Sequence, residues 1–385
     1  MDGKIKVKKL LVAVLAVLVL LSGAFVGYRI VSEVQRRNRI VAAFAAEASY
    51  DKKLNERYIA YYDENSGVSV AELAVLVNND LDKLETGYDP RLISFINAEG
   101  YEREDVQRYL DYSNSTGADE ATVVGLVSHD VDQTGYEYGD RLIEILSDKY
   151  FIWDRVARYC QYDSENAKKN FTVRELVERV NCNLDMIAKN GDFHADTSKG
   201  PLVLVNNYYD LDEKYIPADL VDVDSSYSSK GARMNAEAYK NLVGLIQEAR
   251  KAGLKVTISG DNGYRSYSYQ NTVYDYYCKM LGREEGEKRA AQPGYSEHQT
   301  GLAVDLAVAN ISFKGYTKAK GFNWLAENCH KYGYIVRYPE DKTKITGYAY
   351  ERWHFRYVGK EAAEYIHETG MTFDEYYAYF VEQHQ

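Results

Sequence analysis

Cysteine is scarce, with four in 385 residues. That excludes a disulfide-stapled scaffold, where cross-links compensate for a small core. Basic charge is in deficit: 47 Lys and Arg face 58 Asp and Glu, for a net charge of −11. A nucleic-acid binder needs a basic face, and this composition argues against one. Trp and Phe are few, at 3 and 11, whereas Tyr reaches 37. Most aromatic surface therefore carries a hydroxyl. Hydrophobic residues at 45% and charged residues at 27% are ordinary for a globular protein and argue against wholesale disorder. At roughly 100–200 residues per domain, the length predicts two or three domains with room for a sizeable core.

The charge is unevenly spread. Residues 1–40 hold eight Lys and Arg against Asp2 and Glu33, a local charge of +6 that leaves −17 for the rest. Between two basic clusters runs Leu10 to Tyr28, 19 residues without a charge. As a helix this run just crosses a hydrocarbon core of ~30 Å. A secretory signal has a shorter apolar run and a small-residue cleavage site. Ala43-Phe44-Ala45 mimics such a site but stands far past the run. The expectation is an uncleaved single-pass transmembrane anchor, with a cleaved signal as the alternative. Four basic residues on each side leave the orientation weakly set. The short amino-terminal flank favours a cytoplasmic N-terminus and an extracellular C-terminal part.

The middle of the chain repeats itself. Arg57-Tyr58-Ile59-Ala60-Tyr61 returns as Arg108-Tyr109-Leu110-Asp111-Tyr112 and as Arg158-Tyr159-Cys160-Gln161-Tyr162. A second phrase, Val77-Asn78-Asn79-Asp80-Leu81-Asp82, returns as Val127 to Asp132 and as Val180 to Asp185. Self-similarity at this period marks stacked helical units. Leu73, Leu76 and Val77 form one helical stripe, as do Leu176, Val177 and Val180. Ser69 with Glu72, and Thr172 with Glu175, read as capping boxes at helix starts. The repeated Tyr are expected to pack along helices with their hydroxyls at the surface. A spacer or stalk is one reading of this region; a docking module for a wall polymer or protein partner is the other. Nothing in it forms a catalytic constellation.

Turn formers at 192–201 mark a change to an α+β pattern. Strands are expected at Leu202–Asn206, Lys255–Ser259, Thr300–Val308, Tyr334–Arg337 and Trp353–Tyr357. Helices are expected over 231–252, 267–281, 318–331, Glu361–Glu368 and Phe373–Glu382. The resulting plan is a tail at 1–9, an anchor at 10–28, a juxtamembrane segment at 29–56, an all-α repeat region at 57–195 and a catalytic domain at 200–385.

Two short stretches carry chemistry. The first runs from Pro293 to Asp305 and contains His298; the second is Glu351-Arg352-Trp353-His354-Phe355-Arg356. His298, Asp305 and His354 make a sound ligand set for one catalytic zinc, with a fourth position left for water. On a strand, Asp305 shares its face with Gly301 and Ala303, so room remains beside it, while Leu302, Val304 and Leu306 face the core. By the same alternation His354 and Arg356 share a face, and Trp353 and Phe355 the other. Glu351 reaches the same cavity, and a carboxylate there serves as general base and later proton donor. His129, His194, His330, His367 and His384 have no partner pattern and receive no role. None of the four Cys has the spacing to join the metal site. Cys160 with Cys182 is a conceivable pair, but free buried thiols are the simpler reading.

The string Ser296-x-His298-x-x-Gly301-x-Ala303-x-Asp305 with Glu351-x-Trp353-His354 resembles the VanY-type D-alanyl-D-alanine carboxypeptidases. These are zinc peptidases of the LAS group, named for lysostaphin, D-Ala-D-Ala metallopeptidases and sonic hedgehog. The resemblance extends to Gly263-Tyr264-Arg265-Ser266-Tyr267, Gln270, Arg337-Tyr338-Pro339 and Thr346-Gly347-Tyr348, and covers roughly residues 200–370. It implies an α+β, hedgehog-like fold with a small antiparallel sheet and flanking helices. It implies His298, Asp305 and His354 as zinc ligands and Glu351 as catalytic base. Arg265 is implied to hold or polarise the substrate, with Gln270 and Ser296 lining the peptide site. The implied reaction removes the terminal D-Ala from a peptidoglycan stem peptide in a Gram-positive-type envelope. An L,D-carboxypeptidase acting on tetrapeptide stems and an inactive wall-binding scaffold are the competing readings. Two positions depart from the family pattern: Arg352 stands where Pro is usual, and Asp261-Asn262 is inserted before Gly263.

Overall fold

The computed structural model describes residues 29, 32–48, 50–65, 67–84, 87–309 and 318–382. The apolar run Leu10–Tyr28 lies outside the described residues. Among the described residues no helix is long and apolar enough to cross a membrane. The chain divides into two compact units, Met1–Gly135 and Tyr136–Gln385.

The first unit holds two copies of the repeat. Each copy is a helix pair: Asn55–Glu64 with Val70–Asn78, then Val106–Thr116 with Glu120–Ser128. Ser69 and Glu72 form the expected capping box. The second copy has Asp119 at the same place, accepting from the Thr122 amide at 3.0 Å. Leu73, Leu76 and Val77 are fully buried, as are Val123, Leu126 and Val127. Arg57 pairs with Asp82 and donates to the Val77 carbonyl at 2.9 Å. Arg108 repeats this with Asp132 and the Val127 carbonyl. Each Arg thus adds a second bond to a helix-end carbonyl that also accepts from the amide of Asp80 or Asp130. Asp80 and Asp130 turn the chain there with φ of 57°.

The repeated Tyr differ from the expectation. Tyr58 and Tyr109 are fully buried, hydroxyls included in the packing. The Tyr58 hydroxyl donates to Asn78 Oδ1 at 2.5 Å and accepts from the Asp51 amide at 3.2 Å. The Tyr109 hydroxyl accepts from the Glu102 amide at 2.9 Å. In both copies the hydroxyl pairs with a loop amide, a bond that Phe could not make.

The second unit starts with the third copy, helices Val156–Glu165 and Val173–Asn181, with the Thr172–Glu175 capping box. Arg158 reaches Asp185 at 2.6 Å and the Val180 carbonyl at 3.1 Å. This copy packs into the α+β body. The Tyr150 ring stacks on Tyr379 at 3.9 Å, Asn183 donates to the Tyr209 hydroxyl at 3.2 Å, and Arg155 pairs with Glu382.

Eight short strands follow: β1 (Phe193–His194), β2 (Tyr209–Asp210), β3 (Leu220–Asp222), β4 (Arg233–Asn235), β5 (Val256–Ile258), β6 (Ala303–Val308), β7 (Tyr334–Val336) and β8 (His354–Tyr357). The last four form one antiparallel sheet in the order β5-β6-β8-β7. Val256, Ile258, Val304, Leu306, Val308 and Phe355 point into the main core against the helix Ala236–Lys251, which contributes Leu242, Leu245 and Ile246. The helix expected from residue 231 starts later: Arg233–Asn235 pairs with β3, and Asn235 caps the helix by accepting from the Ala238 amide. Leu202–Asn206 is not a strand. Its apolar residues do alternate, with Val203 and Val205 in the main core and Leu204 in a second cluster. The Pro201 and Val203 carbonyls accept from the Arg356 guanidinium at 2.9 and 2.6 Å rather than from a neighbouring strand. The helices Tyr267–Leu281, Lys318–Asn328, Lys360–Thr369 and Phe373–Phe380 lie where periodicity places them.

Among the described residues the four Cys are free; Cys160, Cys182 and Cys329 are buried and Cys278 is half-buried.

Candidate active site

The site is assembled by β6, β8 and the short turn before β6. Glu297–Thr300 forms a single 3-10 turn, closed by Thr300 Oγ1 donating to the Glu297 carbonyl at 2.6 Å. Gly301 follows at φ 69°, and a Cβ there would stand 2.7 Å from Leu220 Cδ2. Only glycine allows both that left-handed turn and that close approach. The chain then enters β6 with Asp305 facing the cavity. The β6–β8 register sets Asp305 opposite His354. A slip of one residue would turn both side chains to the other face.

His298, Asp305 and His354 come together, with one ligand atom from each within 4.8 Å of the others. His298 Nε2 lies 3.6 Å from Asp305 Oδ1, and His354 Nδ1 lies 3.1 Å from the same oxygen. Zinc bonds of ~2.0–2.1 Å in a tetrahedron place ligand atoms about 3.3 Å apart, so the three fit that ion. The imidazoles stand perpendicular, with ring centroids 5.0 Å apart. His298 Nδ1 donates to the Gly263 carbonyl at 2.7 Å, which leaves Nε2 with its lone pair toward Asp305. His354 is turned the other way: Nδ1 faces Asp305 and Nε2 faces Glu297 at 3.4 Å.

The electrostatics follow from burial and neighbours. Burial would raise the Asp305 carboxyl, but His298 and His354 hold it well below the usual carboxylate range. Burial lowers His298, and the Arg265 charge lowers it further. Burial also opposes charge on His354, yet its hydrogen bonds to Asp305 and Glu297 raise it to about 9. Burial raises Glu351 above an ordinary carboxyl group, making it a stronger base.

A cavity of about 260 Å³ opens beside these groups, and Arg265, Gln270, Ser296 and Glu351 all line it. Glu351 Oε2 is 3.9 Å from His354 Nδ1. Arg265 is held by Gln270 Oε1 at 2.8 Å and by Asn262 Oδ1 at 3.4 Å. Gln270 in turn donates to the Ala291 carbonyl at 2.7 Å. The inserted Asn262 is therefore part of the wall, and its carbonyl accepts from the Asp305 amide at 3.0 Å. Arg352 is exposed and lies over the Tyr350 ring at 5.4 Å.

Trp353 is not on the core face. β8 begins only at His354, so alternation does not reach Trp353, which is 39% exposed and lines the cavity. Sequence reasoning also passed over Glu297, buried directly behind His354. Its signal was a carboxylate adjoining a ligand histidine in a stretch whose other acidic residue is the ligand Asp305. Tyr338 and Tyr348 line the cavity as well, and the Tyr338 ring lies 5.0 Å from that of His354.

Residues 231–360 match the family model VanY, described as D-alanyl-D-alanine carboxypeptidase. YodJ of Bacillus subtilis (strain 168), named as a carboxypeptidase, is 38% identical over 183 residues, which are 46% of this chain and 66% of YodJ. The D-alanyl-D-alanine carboxypeptidase of Enterococcus faecalis (strain ATCC 700802 / V583) is 35% identical over 190 residues, 47% of this chain and 67% of that protein. The chain thus spans about two thirds of these relatives. Among solved structures, the LdcB LD-carboxypeptidase is 35% identical and aligns with 50% of this chain and 94% of its own, at a TM-score of 0.44. The E175A mutant of the D,D-pentapeptidase VanY in complex with Zn(II) is 35% identical, covering 46% of this chain and 98% of its own, at a TM-score of 0.40. The matched segment contains all three ligand candidates, Glu351 and Arg265, and the chain belongs to the VanY family of D-alanyl-D-alanine carboxypeptidases.

Proposed function

We propose that this protein is a zinc-dependent carboxypeptidase that releases the terminal D-Ala from peptidoglycan stem peptides on the outer side of a cell membrane. The observation that carries the proposal is the convergence of His298, Asp305, His354, Glu351 and Arg265 on one cavity. His298, Asp305 and His354 would hold the ion. A bound zinc supplies Lewis acidity, polarising a carbonyl and lowering the pKa of a water toward about 7. Glu351 takes a proton from the attacking water and returns it to the leaving amine. The water oxygen joins the acyl carbon, the C–N bond breaks, and D-Ala departs as the free amino acid. Arg265, fixed by Gln270 and Asn262, offers a cation to the substrate's terminal carboxylate or to the carbonyl oxygen as charge develops there. Gln270 and Ser296 form the adjoining wall.

The anchor assigned to Leu10–Tyr28 keeps the enzyme beside its substrate. The remainder of the chain is acidic, which disfavours electrostatic attachment to anionic wall polymers. The helical repeats then act as a spacer or docking module. The purified protein incubated with pentapeptide and tetrapeptide stems, and its products weighed, tests the substrate. Loss of D-Ala from the pentapeptide is expected. Cleavage of the tetrapeptide alone would make the protein an L,D-carboxypeptidase. No cleavage of either, with no zinc in the protein as purified, would leave a wall-binding scaffold.

A further inference from the structure

Behind the metal-ligand triad lies a cluster of four charged side chains with almost no access to solvent. Glu297, Arg337, Arg356 and Asp374 are 2%, 1%, 0% and 3% exposed. Glu297 Oε1 receives Arg337 Nε at 2.7 Å and Arg356 Nη1 at 2.8 Å. Arg337 also donates to both oxygens of Asp374, at 2.6 and 3.2 Å. Asp374 lies on the helix Phe373–Phe380 and accepts from Asn206 at 2.8 Å. Two cations and two anions balance, so the cluster is neutral as a whole. Such a buried group is weak as a stability device, because apolar residues of similar volume do as well. Its geometry suggests another use. The second oxygen of Glu297, Oε2, is free of arginine and faces His354 Nε2 at 3.4 Å, the long end of a hydrogen bond.

We propose that Glu297 is the positioning carboxylate of His354, locking the imidazole so that Nδ1 is presented to the metal. The inference rests on reading His298, Asp305 and His354 as metal ligands. A neutral imidazole that gives its Nδ1 lone pair to a metal carries its proton on Nε2, and that proton needs an acceptor in a buried site. Glu297 is the acceptor. Its orientation is fixed in turn, because Arg337 and Arg356 occupy Oε1 and leave Oε2 for the histidine. His298 achieves the same end with a backbone carbonyl, that of Gly263. His354 depends instead on a side chain, and Glu297 is the member of the buried cluster that reaches its imidazole nitrogen.

Zinc affinity of the full-length protein, measured by competition with a chromophoric chelator, tests this with three variants. Glu297→Gln keeps the shape and removes the charge. Glu297→Asp keeps the charge and withdraws the carboxylate from His354. Asp374→Asn disturbs the same cluster without touching His354. The first two should weaken zinc binding by about 10–100-fold, the usual cost of losing such a partner. Asp374→Asn should change it by less than about threefold while still lowering the melting temperature. In zinc-loaded wild type, nitrogen-15 NMR should show His354 protonated at Nε2; this readout needs no variant and stands if the Glu297 variants fail to fold. Zinc affinities that fall in step with melting temperature across all three variants would make the role merely structural and overturn the inference. So would a wild-type His354 bound to zinc through Nε2. A wild-type protein that binds no zinc overturns the metal site itself, whereas one that binds zinc as tightly as both Glu297 variants overturns only the role of Glu297.

Discussion

The helical repeats and the catalytic region both build with arginine and carboxylate, and they use the pair differently. In the repeats, Arg57, Arg108 and Arg158 perform one task three times, each reaching an Asp and a helix-end carbonyl. Their side chains keep 26%, 29% and 28% of their exposure. In the catalytic region, the Arg337 and Arg356 side chains have no exposure and no counterpart among the other described residues, and they converge on one carboxylate. A half-exposed pair can be copied because its worth is local and small. A fully buried set must be satisfied at every member at once, so it occurs where a unique geometry is required. Repetition therefore marks architecture, and singular buried charge marks the site.

Four experiments bear on that contrast. Asp305→Ala should abolish detectable carboxypeptidase activity and remove zinc from the protein as purified. Arg57→Ala, by contrast, should leave zinc stoichiometry unchanged; elemental analysis of both variants decides whether the two regions are separable. Glu351→Ala should lower kcat by about 10²–10⁴-fold with zinc content intact, the usual contribution of a general acid–base group. Equal zinc and an unaltered kcat would remove Glu351 from the mechanism. Arg337→Ala leaves Glu297 and Asp374 short of a partner in the interior and should cost about 3–5 kcal/mol of stability. Denaturant unfolding of that variant beside Arg108→Ala, where a loss of about 1 kcal/mol is expected, compares buried with half-exposed pairs directly. Equal losses would erase the distinction. The smallest effect belongs to the caps. Ser69→Ala in the first copy and Thr172→Ala in the third should each cost about 1 kcal/mol. The losses in thermal melts of the two should be similar, since both boxes make the same reciprocal pair of bonds.

The third copy shows how one sequence pattern meets two environments. Its cap, its buried Tyr159 and its Arg158 bonds repeat those of the first two copies. It differs at Asn183, where the earlier copies have Asp80 and Asp130 in the same left-handed turn. A neutral amide there donates to Tyr209 of the α+β body and accepts from Arg158. An aspartate would offer that hydroxyl no donor.

Much of this was legible in the residues. The capping boxes at Ser69 and Thr172 depend on atoms three residues apart, so spacing alone announces them. The helix Tyr267–Leu281 and the strands β5 to β8 follow from periodicity and turn formers. The ligand candidates His298 and Asp305 stand seven residues apart, with Gly301 and Ala303 between them. Other features depended on partners distant in the chain. The Tyr58 hydroxyl bonds an amide seven residues back and an amide side chain twenty residues on, so its inward direction was hidden. Leu202–Asn206 alternates as a strand does, but the carbonyls of Pro201 and Val203 meet Arg356, more than 150 residues later. Trp353 obeys no alternation because the ladder begins one residue after it.

Local chemistry by itself determined the repeat units, the helix starts, the sheet strands and the chemical kinds gathered for a metal and a base. These are set by residues close in sequence, where propensity, capping and side-chain alternation act. Which nitrogen each histidine turns to Asp305, which oxygen of Glu297 is left for His354, and where Arg265 is held were decided only by tertiary structure. Those choices are made by hydrogen bonds between segments tens of residues apart, in a desolvated interior where each buried polar group must find its partner.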